Sequence, residues 1–446
     1  MKNVNRVTRR RTVAEPARVT EVLAEADVLI CGGGPAGVGA ALAAARNGAR
    51  TILIENQICL GGMATAGMVN RLGPYHDQQQ IILGGLPWEI LRRLIDRGLA
   101  QEPVICEPGR WQDYWLVFDP EGMKCLLDEL MEQAGVTVLF AAQVVAPILH
   151  GRAIRGVVIE SKSGRQAVLG KIVVDATGDG DVAARAGAPF AVGRAGDRLT
   201  QPATLFFKCL NMDWPRAFDY TNRHAKRLLK EARKLGNDFV LAGTDNWLHP
   251  EETYFNCLHE HDVDGTDVRD LSRAARNLRQ KMWRNLELLR RHVPACKRAS
   301  LITSGATVGI RETRRITGEY VLGIEDVLSG RQFEDQVFRY ACYVDIHEPR
   351  PGRKSRLAGR TLEPGVAYGI PYRCLLPRNV ENLLVAGRCF SATHEALASA
   401  RMMPSCMAMG EAAGTAAAPS IRNGVSPRRI DVNVLRKQLA KQGVRL

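Results

Sequence analysis

A glycine-rich segment near the amino terminus has the residue types and spacing of a site for a dinucleotide phosphate. Gly32, Gly34 and Gly37 give the pattern G-x-G-x-x-G. The first glycine permits a tight turn, the second lets the backbone approach a pyrophosphate, and the third allows a helix to pack closely on a strand. Glu55 lies 23 positions beyond Gly32, where its carboxylate can accept hydrogen bonds from both ribose hydroxyls.

The elements that must position this turn occur in the required order. The run Ala26–Cys31 predicts a buried strand, Val38–Asn47 predicts an alanine-rich helix, and Thr51–Ile54 predicts a second strand. Gly48 supplies a helix stop. The amino terminus of such a helix offers free N–H groups and a positive dipole end to a phosphate. We therefore interpret the glycine pattern as a nucleotide site rather than a chance match.

A second group of residues has the types needed for acid–base chemistry. Tyr343, Asp345 and His347 alternate along the chain, so on a strand they would face the same side. His347 could act as a general base near neutral pH, with Asp345 orienting its ring. The alternative is a surface strand that carries a solvated histidine.

Three arginines lie within five residues, at Arg311, Arg314 and Arg315. On a strand, Arg311 and Arg315 would share a face and Arg314 would point the other way. One interpretation is that they clamp an anionic or polyhydroxylated substrate. The other is that they form salt bridges to the nucleotide domain or to a neighbouring subunit, and the residues alone leave both open.

A further ligand-facing turn is predicted near the carboxyl terminus. Leu383–Ala386 predicts a buried strand, Gly387 lets the backbone turn against a ligand, and Pro404 suits the first turn of a helix. The positive end of that helix can stabilise negative charge on a cofactor. His394 and Arg401 lie between the turn and the helix, so they are candidates by position. NAD-only dehydrogenases do not need this segment.

Five stretches of the chain resemble flavoproteins of the glutathione reductase-like superfamily: ADVLICGGGPAGVGAALAAARNGARTILIE, CLGGMATAGMV, KIVVDATGDGDVAARAGAPF, GIRETRRITGEYVL and NLLVAGRCFSATHEALASARMMPSCMAMGEAAGTAAA. Within that superfamily the chain is similar to the FAD-dependent oxidoreductases distantly related to the flavoprotein subunits of fumarate reductase and succinate dehydrogenase. The resemblance covers most of the chain, from about Asp27 to Ala418. It implies FAD as the cofactor.

The resemblance also implies how FAD is held. No histidine lies between Gly61 and Val69, near the point where succinate dehydrogenases attach their flavin, so we expect non-covalent FAD. Arg388 stands where many flavoproteins of the superfamily have an aspartate, but arginine is usual there in the family that the chain resembles, which implies a contact through the backbone or a basic side chain. The residues expected to contact FAD are Gly32, Gly34, Pro35, Ala36, Gly37, Glu55, Gly61, Gly62, Met63, Ala64, Val144, Ala176, Thr177, Gly178, Asp179, Gly387, Arg388, Met403 and Ser405. The expected catalytic residues are His347, Arg311, His394, Arg401 and Tyr372, the last placed near the active site by the resemblance.

The predicted fold class is α/β. We expect a Rossmann-like FAD-binding domain of the three-layer glutathione reductase type, with a β-rich insertion and a second, α+β substrate domain. The predicted divisions are a basic arm at 1–25, the first part of the FAD domain with the insertion at 26–195, a substrate or cap domain at 196–300, a return to the FAD domain at 301–325, the second part of the substrate domain at 326–371, and the last part of the FAD domain at 372–446.

Composition narrows the function classes. The most membrane-like stretch, Ala396–Ala418, contains Arg401, Pro404 and Glu411, so it predicts a packed interior helix rather than a membrane span. None of the 11 cysteines forms a C-x-x-C pair, which disfavours a metal site and fits a cytoplasmic protein. The net charge of +14 is spread along the chain, and only 6% of residues are aromatic, so a nucleic-acid partner is disfavoured.

These observations predict an FAD-dependent oxidoreductase that transfers a hydride between the flavin and a small polar metabolite, hydroxylated or carboxylated. Two alternatives stay open, an FAD-dependent tRNA-modifying enzyme and a non-catalytic flavin-binding subunit. The partners expected are the small-molecule substrate and a separate electron donor or acceptor, and the chain could form a homo-oligomer.

Overall fold

The computed structural model describes residues 12–105, 115–236, 243–245, 249–353 and 355–446. The helices in these ranges are α1 (Pro35–Arg46), α2 (Gly85–Asp96), α3 (Pro120–Gln133), α4 (Asp181–Arg185), α5 (Trp214–Arg223), α6 (Ala225–Lys234), α7 (Val268–His292), α8 (Ile324–Leu328), α9 (His394–Ala400), α10 (Met403–Arg422) and α11 (Val432–Lys441). The strands are β1 (Glu21–Cys31), β2 (Thr51–Ile54), β3 (Arg71–Leu72), β4 (Leu116–Val117), β5 (Thr137–Leu139), β6 (Gln143–His150), β7 (Ala153–Ser161), β8 (Gly164–Asp175), β9 (Phe190–Val192), β10 (Phe207–Leu210), β11 (Gly243–Asp245), β12 (Glu252–Phe255), β13 (Ser300–Ser304), β14 (Arg314–Ile316), β15 (Gln336–Tyr340), β16 (Tyr368–Pro371) and β17 (Leu383–Val385).

The main sheet is mixed, with a parallel centre. Its order is β5-β2-β1-β8-β7-β6, and β17 pairs with β8 in parallel. β1, β2, β5, β8 and β17 run the same way, so their carboxyl ends meet at one edge. Gly32, Glu55, Ala176 and Ala386 each follow one of these strands. Ligands of open α/β sheets bind outside this edge, so the topology gathers the nucleotide segments predicted from the sequence.

The β-rich insertion extends the same sheet. β6 and β7 pair antiparallel, and β7 pairs antiparallel with the first half of β8. β1 also begins earlier than predicted, at Glu21, because residues 21–25 pair with β8 from Gln166 to Leu169. The last residues of the predicted basic arm therefore belong to the sheet, while residues 1–11 of that arm lie outside the described ranges.

Two helices pack backbone against backbone over the centre of this sheet. A Cβ atom added at Gly410 of α10 would lie 1.9 Å from the Ala36 carbonyl oxygen of α1. A Cβ added at Gly414 would lie 2.2 Å from the Ala40 oxygen, and one at Gly39 would lie 2.2 Å from the Met407 oxygen. Real side chains cannot approach so closely. Glycine at these positions is therefore what lets α1 and α10 touch.

α10 also carries a buried carboxyl group that faces the start of α2. Glu411 is 2% exposed, and its Oε2 accepts a hydrogen bond of 2.9 Å from the Leu86 backbone N–H. Burial raises the pKa of Glu411 from 4.5 to about 8, with smaller opposing effects from Leu86 and Arg46. The group is therefore largely protonated at neutral pH in the folded protein.

This carboxyl group makes the stability depend on pH. Between pH 4.5 and about 8 the unfolded chain releases the Glu411 proton and the folded chain retains it. Stability conferred by the neutral group is complete below this window and falls by about 1.4 kcal/mol per pH unit as the pH rises through it. The Glu411→Gln variant stays neutral at every pH. We therefore expect its urea midpoint, relative to that of the parent, to increase as the pH rises. A constant difference between the two midpoints across the window would contradict this prediction.

A second core lies in residues 203–299. Its sheet has the order β11-β12-β10-β13, and helices α5, α6 and α7 contribute apolar residues to the same core. Phe207 and Phe255 stack at its centre, with ring centroids 4.7 Å apart. By contrast, Val337 on β15 and Tyr368 on β16 belong to the core that contains α1 and α10. The predicted domain boundaries stay predictions.

Two local predictions are wrong. Ala396–Ala418 is not one helix, because Arg401 and Met402 break it: α9 ends at Ala400 and α10 begins at Met403, with Pro404 in its first turn. The alternating residues 343–347 form no strand, since β15 ends at Tyr340. The segment is instead held by a few long-range bonds, among them the Val344 N–H to the Arg360 carbonyl. In the part of the chain that the structure describes, no helix combines the length and apolar character needed to cross a bilayer.

Candidate functional site

The glycine turn after β1 leaves the amino terminus of α1 open. Gly34 is the N-cap of α1, no side chain caps the helix, and a Cβ added at Gly34 would meet no atom within 4 Å. A Cβ at Gly37 would lie 1.7 Å from the Gly32 carbonyl oxygen, so this position requires glycine. The turn therefore offers unpaired backbone N–H groups at the positive end of α1, the arrangement that binds phosphate.

Glu55 lies at the end of β2 beside this turn. Its Oε2 accepts a hydrogen bond of 2.5 Å from the Gly33 N–H, and its Oε1 accepts one of 2.7 Å from the Gln57 N–H. The carboxylate is 7% exposed. Glu55 thus fixes the shape of the glycine turn and remains in position to accept hydrogen bonds from a ribose.

The segments predicted to hold the cofactor converge on the start of α1. A Cβ added at Gly62 would lie 3.1 Å from the Gly34 Cα, and one at Gly387 would lie 2.8 Å from the Ala36 Cβ. A Cβ at Gly178 would lie 3.0 Å from an Arg388 nitrogen. Turns from both ends of the chain therefore meet in one place, as the sequence predicted.

The Arg388 side chain is held by two partners. Its Nη2 lies 2.8 Å from Asp179 Oδ1, and its Nη1 donates to the Thr313 hydroxyl at 3.2 Å. Arg314 binds the Asp179 carbonyl oxygen and the Asp181 carboxylate, each at 3.0 Å. Arg314 and Arg388 therefore tie three of the predicted segments together, which makes Arg314 one of the structural arginines that the sequence left open.

The amino terminus of α10 has a feature that fits a polar ring system. Ser405 is fully buried, and its hydroxyl finds no hydrogen-bond partner among the described residues. Met402 is the N-cap of α10 and provides no side-chain cap. A buried unpaired hydroxyl at an uncapped helix terminus is costly unless a ligand satisfies it. The residues present thus fit the pyrimidine end of a flavin.

A cluster of charged side chains lies directly before α10. Arg401 Nη2 donates to the Asp345 carboxylate at 2.9 Å and to the Asp345 carbonyl at 2.8 Å. His347 Nε2 lies 3.4 Å from Asp345 Oδ1. The side chains of Asp345 and His347 are 25% and 26% exposed, so solvent reaches this cluster, which we call the recess. Asp345 and His347 are thus neighbours, although no strand places them together.

The pKa values in this cluster determine which of its groups are charged at neutral pH. Burial alone would raise the pKa of Asp345, but His347, Arg401 and Arg311 together hold it below its usual value. Burial and the positive charge of Arg311 lower the pKa of His347, against the opposing effect of Asp345. At neutral pH the cluster therefore holds an ionised aspartate beside a neutral imidazole, which can accept a proton.

Arg311 is buried beside the same cluster. It is 7% exposed, and its Nη1 donates to the Pro202 carbonyl at 2.7 Å. Burial, and secondarily Arg401, lower the pKa of Arg311 to about 9, so it remains charged at neutral pH. The neighbouring Gln201 is 3% exposed, and its Oε1 accepts the His347 backbone N–H at 3.1 Å.

Two functional candidates escaped the sequence prediction, Gln201 and His259. The His259 ring packs edge-on against His347, with centroids 5.1 Å apart. Burial and nearby positive charges lower the pKa of His259 to about 2, so it is neutral. Alternating histidines at 259 and 261 were the available signal. Gln201 had none, because only the fold brings it to His347.

The other predicted catalytic residues lie in different surroundings. His394 Nδ1 is 2.6 Å from Glu312 Oε2, and Glu312 also pairs with Arg315, all three buried. His394 also borders a cavity of about 360 Å³ with Arg194, Ile346, Glu348, Pro349, Ser355, Arg356, Leu357 and Glu395. Tyr372 is 1% exposed and its hydroxyl donates to the Pro427 carbonyl at 3.0 Å, so it makes no hydrogen bond to the Asp345 cluster.

The remaining predicted contacts are distributed around the convergence point. Met63 lies near Gly309, since a Cβ added at Gly309 would lie 3.1 Å from the methyl carbon of Met63. Val144 is buried on β6, and Met403 opens α10. The other predicted cofactor residues lie in the turns and helix starts already described: Pro35, Gly61, Ala64, Ala176 and Thr177. That these residues bind the cofactor stays a prediction.

Comparison with known proteins gives a family match over most of the chain. A model of the FAD dependent oxidoreductase family matches residues 27–439. Among solved structures, a geranylgeranyl bacteriochlorophyll reductase-like protein from Thermoplasma acidophilum is 15% identical, with a TM-score of 0.48, over 94% of this chain and 84% of that one. The p-nitrophenol 4-monooxygenase of Pseudomonas putida is 12% identical, with a TM-score of 0.43, over 94% and 84%. The family match, rather than these distant likenesses, carries the assignment.

Proposed function

The chain belongs to the FAD dependent oxidoreductase family, and from this premise we propose that it exchanges a hydride between non-covalent FAD and a small polar metabolite bound beside His347. The observation that carries the proposal is the position of the Asp345–His347 pair. It lies in a solvent-reached recess, joined through Arg401 to the start of α10. Family membership supports an FAD-dependent enzyme, and it disfavours a non-catalytic flavin-binding subunit.

The cofactor would be held along the edge of the main sheet. The start of α1 would receive the pyrophosphate, and Glu55 would bind the adenosine ribose. Ser405 and the uncapped start of α10 would face the pyrimidine part of the flavin. Arg388 would act mainly by fixing Asp179 and Thr313, since its donors already have these partners.

The chain's own residues would move the proton. FAD, when bound, supplies the acceptor for the hydride that leaves a substrate C–H bond. For a hydroxylated substrate, the matching hydroxyl proton passes to His347 at Nδ1, because Nε2 faces Asp345, and a carbonyl product remains. Asp345 stabilises the imidazolium that forms, and Arg401 holds Asp345 in place. His347 is thus the proposed catalytic base, and Asp345 and Arg401 are positioning residues.

An anaerobic titration tests this proposal. The purified protein is expected to show a flavin absorption spectrum, and the released cofactor should be FAD. Small hydroxy acids and polyols would then be screened for bleaching of the flavin. The control for each compound is the analogue that lacks the hydroxyl group. Failure of every hydroxylated compound to bleach a flavin that dithionite does bleach would refute the proposed substrate chemistry.

A second candidate function, action on tRNA, gains one observation from α7. The solvent-facing side of this helix carries an exposed Trp283, and at 100° per residue one face also presents several arginines. They are Arg269, Arg276, Arg279, Arg284 and Arg291. The ion pairs found on α7 within the described residues involve Arg273 and Lys281 instead. Glu287 is exposed on the same face, so the five arginines leave this face with an excess of positive charge. Such a basic face with an aromatic side chain fits a polyanion.

This candidate predicts salt-sensitive binding of tRNA. The double variant Arg279→Glu/Arg284→Glu should weaken binding in a gel-shift assay and reduce its dependence on salt, because fewer phosphate contacts release counterions. The matched control, Arg223→Glu on α5, removes an arginine that already pairs with Asp219. No tRNA binding by the parent protein at low salt would eliminate the candidate.

A further inference from the structure

We propose that the recess beside His347 contains a subsite for a single substrate carboxylate, with the Arg311 guanidinium and the Gln201 side-chain amide as its donors. The inference rests on the proposed function and narrows its substrate to a monoanionic hydroxy acid. It follows from the charges and unpaired donors of the recess, which can be counted residue by residue.

The charged side chains of the recess do not balance one another. Arg401 and Arg311 share one carboxylate, since Asp345 forms an ion pair with Arg401 and also attracts Arg311, and Arg315 is neutralised by Glu312. His347 and His259 are neutral at pH 7 because burial lowers the pKa of each. Within the ranges that the structure covers, no carboxylate forms an ion pair with Arg311, whose hydrogen bond goes to the Pro202 carbonyl. The recess therefore carries one uncompensated positive charge.

A buried charge of this kind needs a partner. Placing an ionised group in a low-dielectric environment costs several kcal/mol unless an opposite charge and hydrogen bonds offset the cost. A guanidinium has five N–H donors in a planar fork that matches a carboxylate. One bond to Pro202 leaves Arg311 with donors for a ligand.

Gln201 supplies the second donor. Its Oε1 is occupied by the His347 N–H, which fixes the orientation of the amide. Its Nε2 is buried and has no partner among the residues that the structure describes. Gln201 directly precedes Pro202, whose carbonyl accepts a hydrogen bond from Arg311, so the second donor follows directly from the residue that anchors the first. An unsatisfied buried donor beside an unpaired guanidinium points to an acceptor that carries negative charge.

The positive charge of the recess also determines which charge its ligand can carry. A neutral polyol would leave Arg311 uncompensated, and a dianion would leave one negative charge beside Asp345. A single carboxylate balances the recess. Because the Gln201 oxygen holds the His347 backbone, a carboxylate on these donors would bring a hydroxyl on the adjacent carbon toward His347.

The experiment uses acetate and its neutral analogue acetamide as probes on the FAD-loaded protein. Each is titrated while the unfolding midpoint and the flavin absorption spectrum are recorded. A ligand of the folded state raises the free energy of unfolding by RT ln(1 + [L]/Kd), so the midpoint keeps rising with the logarithm of ligand concentration above Kd. We expect acetate to raise the midpoint in this way and to change the flavin spectrum saturably, and acetamide to do neither.

Two variants and one control sharpen the test. Arg311→Gln should weaken acetate binding by about 10- to 100-fold, the loss expected for hydrogen bonds to a charged group. Gln201→Glu places a carboxylate in the recess, so it should keep the fold and no longer respond to acetate. Arg155→Gln removes an exposed arginine of β7 and should respond like the parent.

Three outcomes would overturn the subsite: equal responses to acetate and acetamide, an acetate response that survives Arg311→Gln, or one that survives Gln201→Glu. If Arg311→Gln changes only the reduction potential of the flavin, the counter-charge of Arg311 is the reduced cofactor rather than a substrate. Selective acetate binding without flavin bleaching by any hydroxy acid would retain the subsite and refute the proposed function instead.

Discussion

Replacing His347 with asparagine is expected to slow reduction of bound FAD by substrate by about 10²- to 10⁴-fold, the usual contribution of a positioned general base. Asparagine retains a polar side chain but cannot accept a proton at neutral pH. The measurement is anaerobic stopped-flow reduction at saturating substrate, with FAD content determined for each preparation. His150→Asn, on the exposed end of β6, is the matched control and should reduce at the parental rate. Equal rates for the His347 variant and the parent would exclude this base.

The same residue sets the expected pH dependence. Only the neutral imidazole accepts a proton, and the pKa of His347 lies below its usual 6.5 because of burial and Arg311. The rate should therefore rise with pH on the acid side, through that lowered pKa, and be constant above neutrality. Asp345 raises the pKa of His347, so Asp345→Asn should shift the acid limb to lower pH as well as slow the reaction. A shift to higher pH would contradict the assigned pair.

A single methyl group at position 410 is expected to have the largest effect on folding. Alanine at a helix interior is normally more stable than glycine by about 1 kcal/mol. At Gly410, however, the new Cβ would lie 1.9 Å from the Ala36 carbonyl oxygen, a backbone atom that cannot move without separating α1 from α10. We expect Gly410→Ala to lose more than about 4 kcal/mol of stability, in the range of severe core disruptions, and to retain little FAD.

Urea unfolding and gel filtration with flavin detection check this prediction. Gly323→Ala is the control, because its Cβ would meet only Asp326 Oδ2, at an ordinary 3.6 Å. It should change the midpoint little. If Gly410→Ala unfolds at the same urea concentration as the parent or higher, the close approach of the two helices is absent.

The sequence was informative where short-range chemistry decides the structure. The strand Thr51–Ile54 was predicted with its observed bounds, and the helix predicted at Val38–Asn47 ends one residue beyond α1. Glycine turns at Gly32 and Gly387 were recognised because close backbone approach leaves few alternatives. The pairing of β17 with β8 was not predicted, since parallel strands far apart in sequence carry no local signal.

Elsewhere, long-range contacts decided the outcome. Asp345 and His347 were expected to meet through strand alternation, but they meet because Arg401 and Gln201 hold an irregular segment. Gln201 and His259 come from the part of the chain with the second core, and no periodicity links them to His347. The start of a helix at Pro404 was predicted, but the end of α9 at Ala400 was missed because small and apolar residues flank Arg401 on both sides and hide the interruption from a hydrophobicity pattern.

The contact between α1 and α10 has a consequence for biosynthesis. Ala36 and Gly410 are about 370 residues apart in the chain, yet neither helix buries its glycine face without the other. A nascent chain must therefore wait until α10 has left the ribosome before the nucleotide half can close. During that interval its first helix is exposed, and contacts of such long sequence separation form slowly. Premature termination anywhere before α10 would thus release a product unable to retain its cofactor and prone to aggregate.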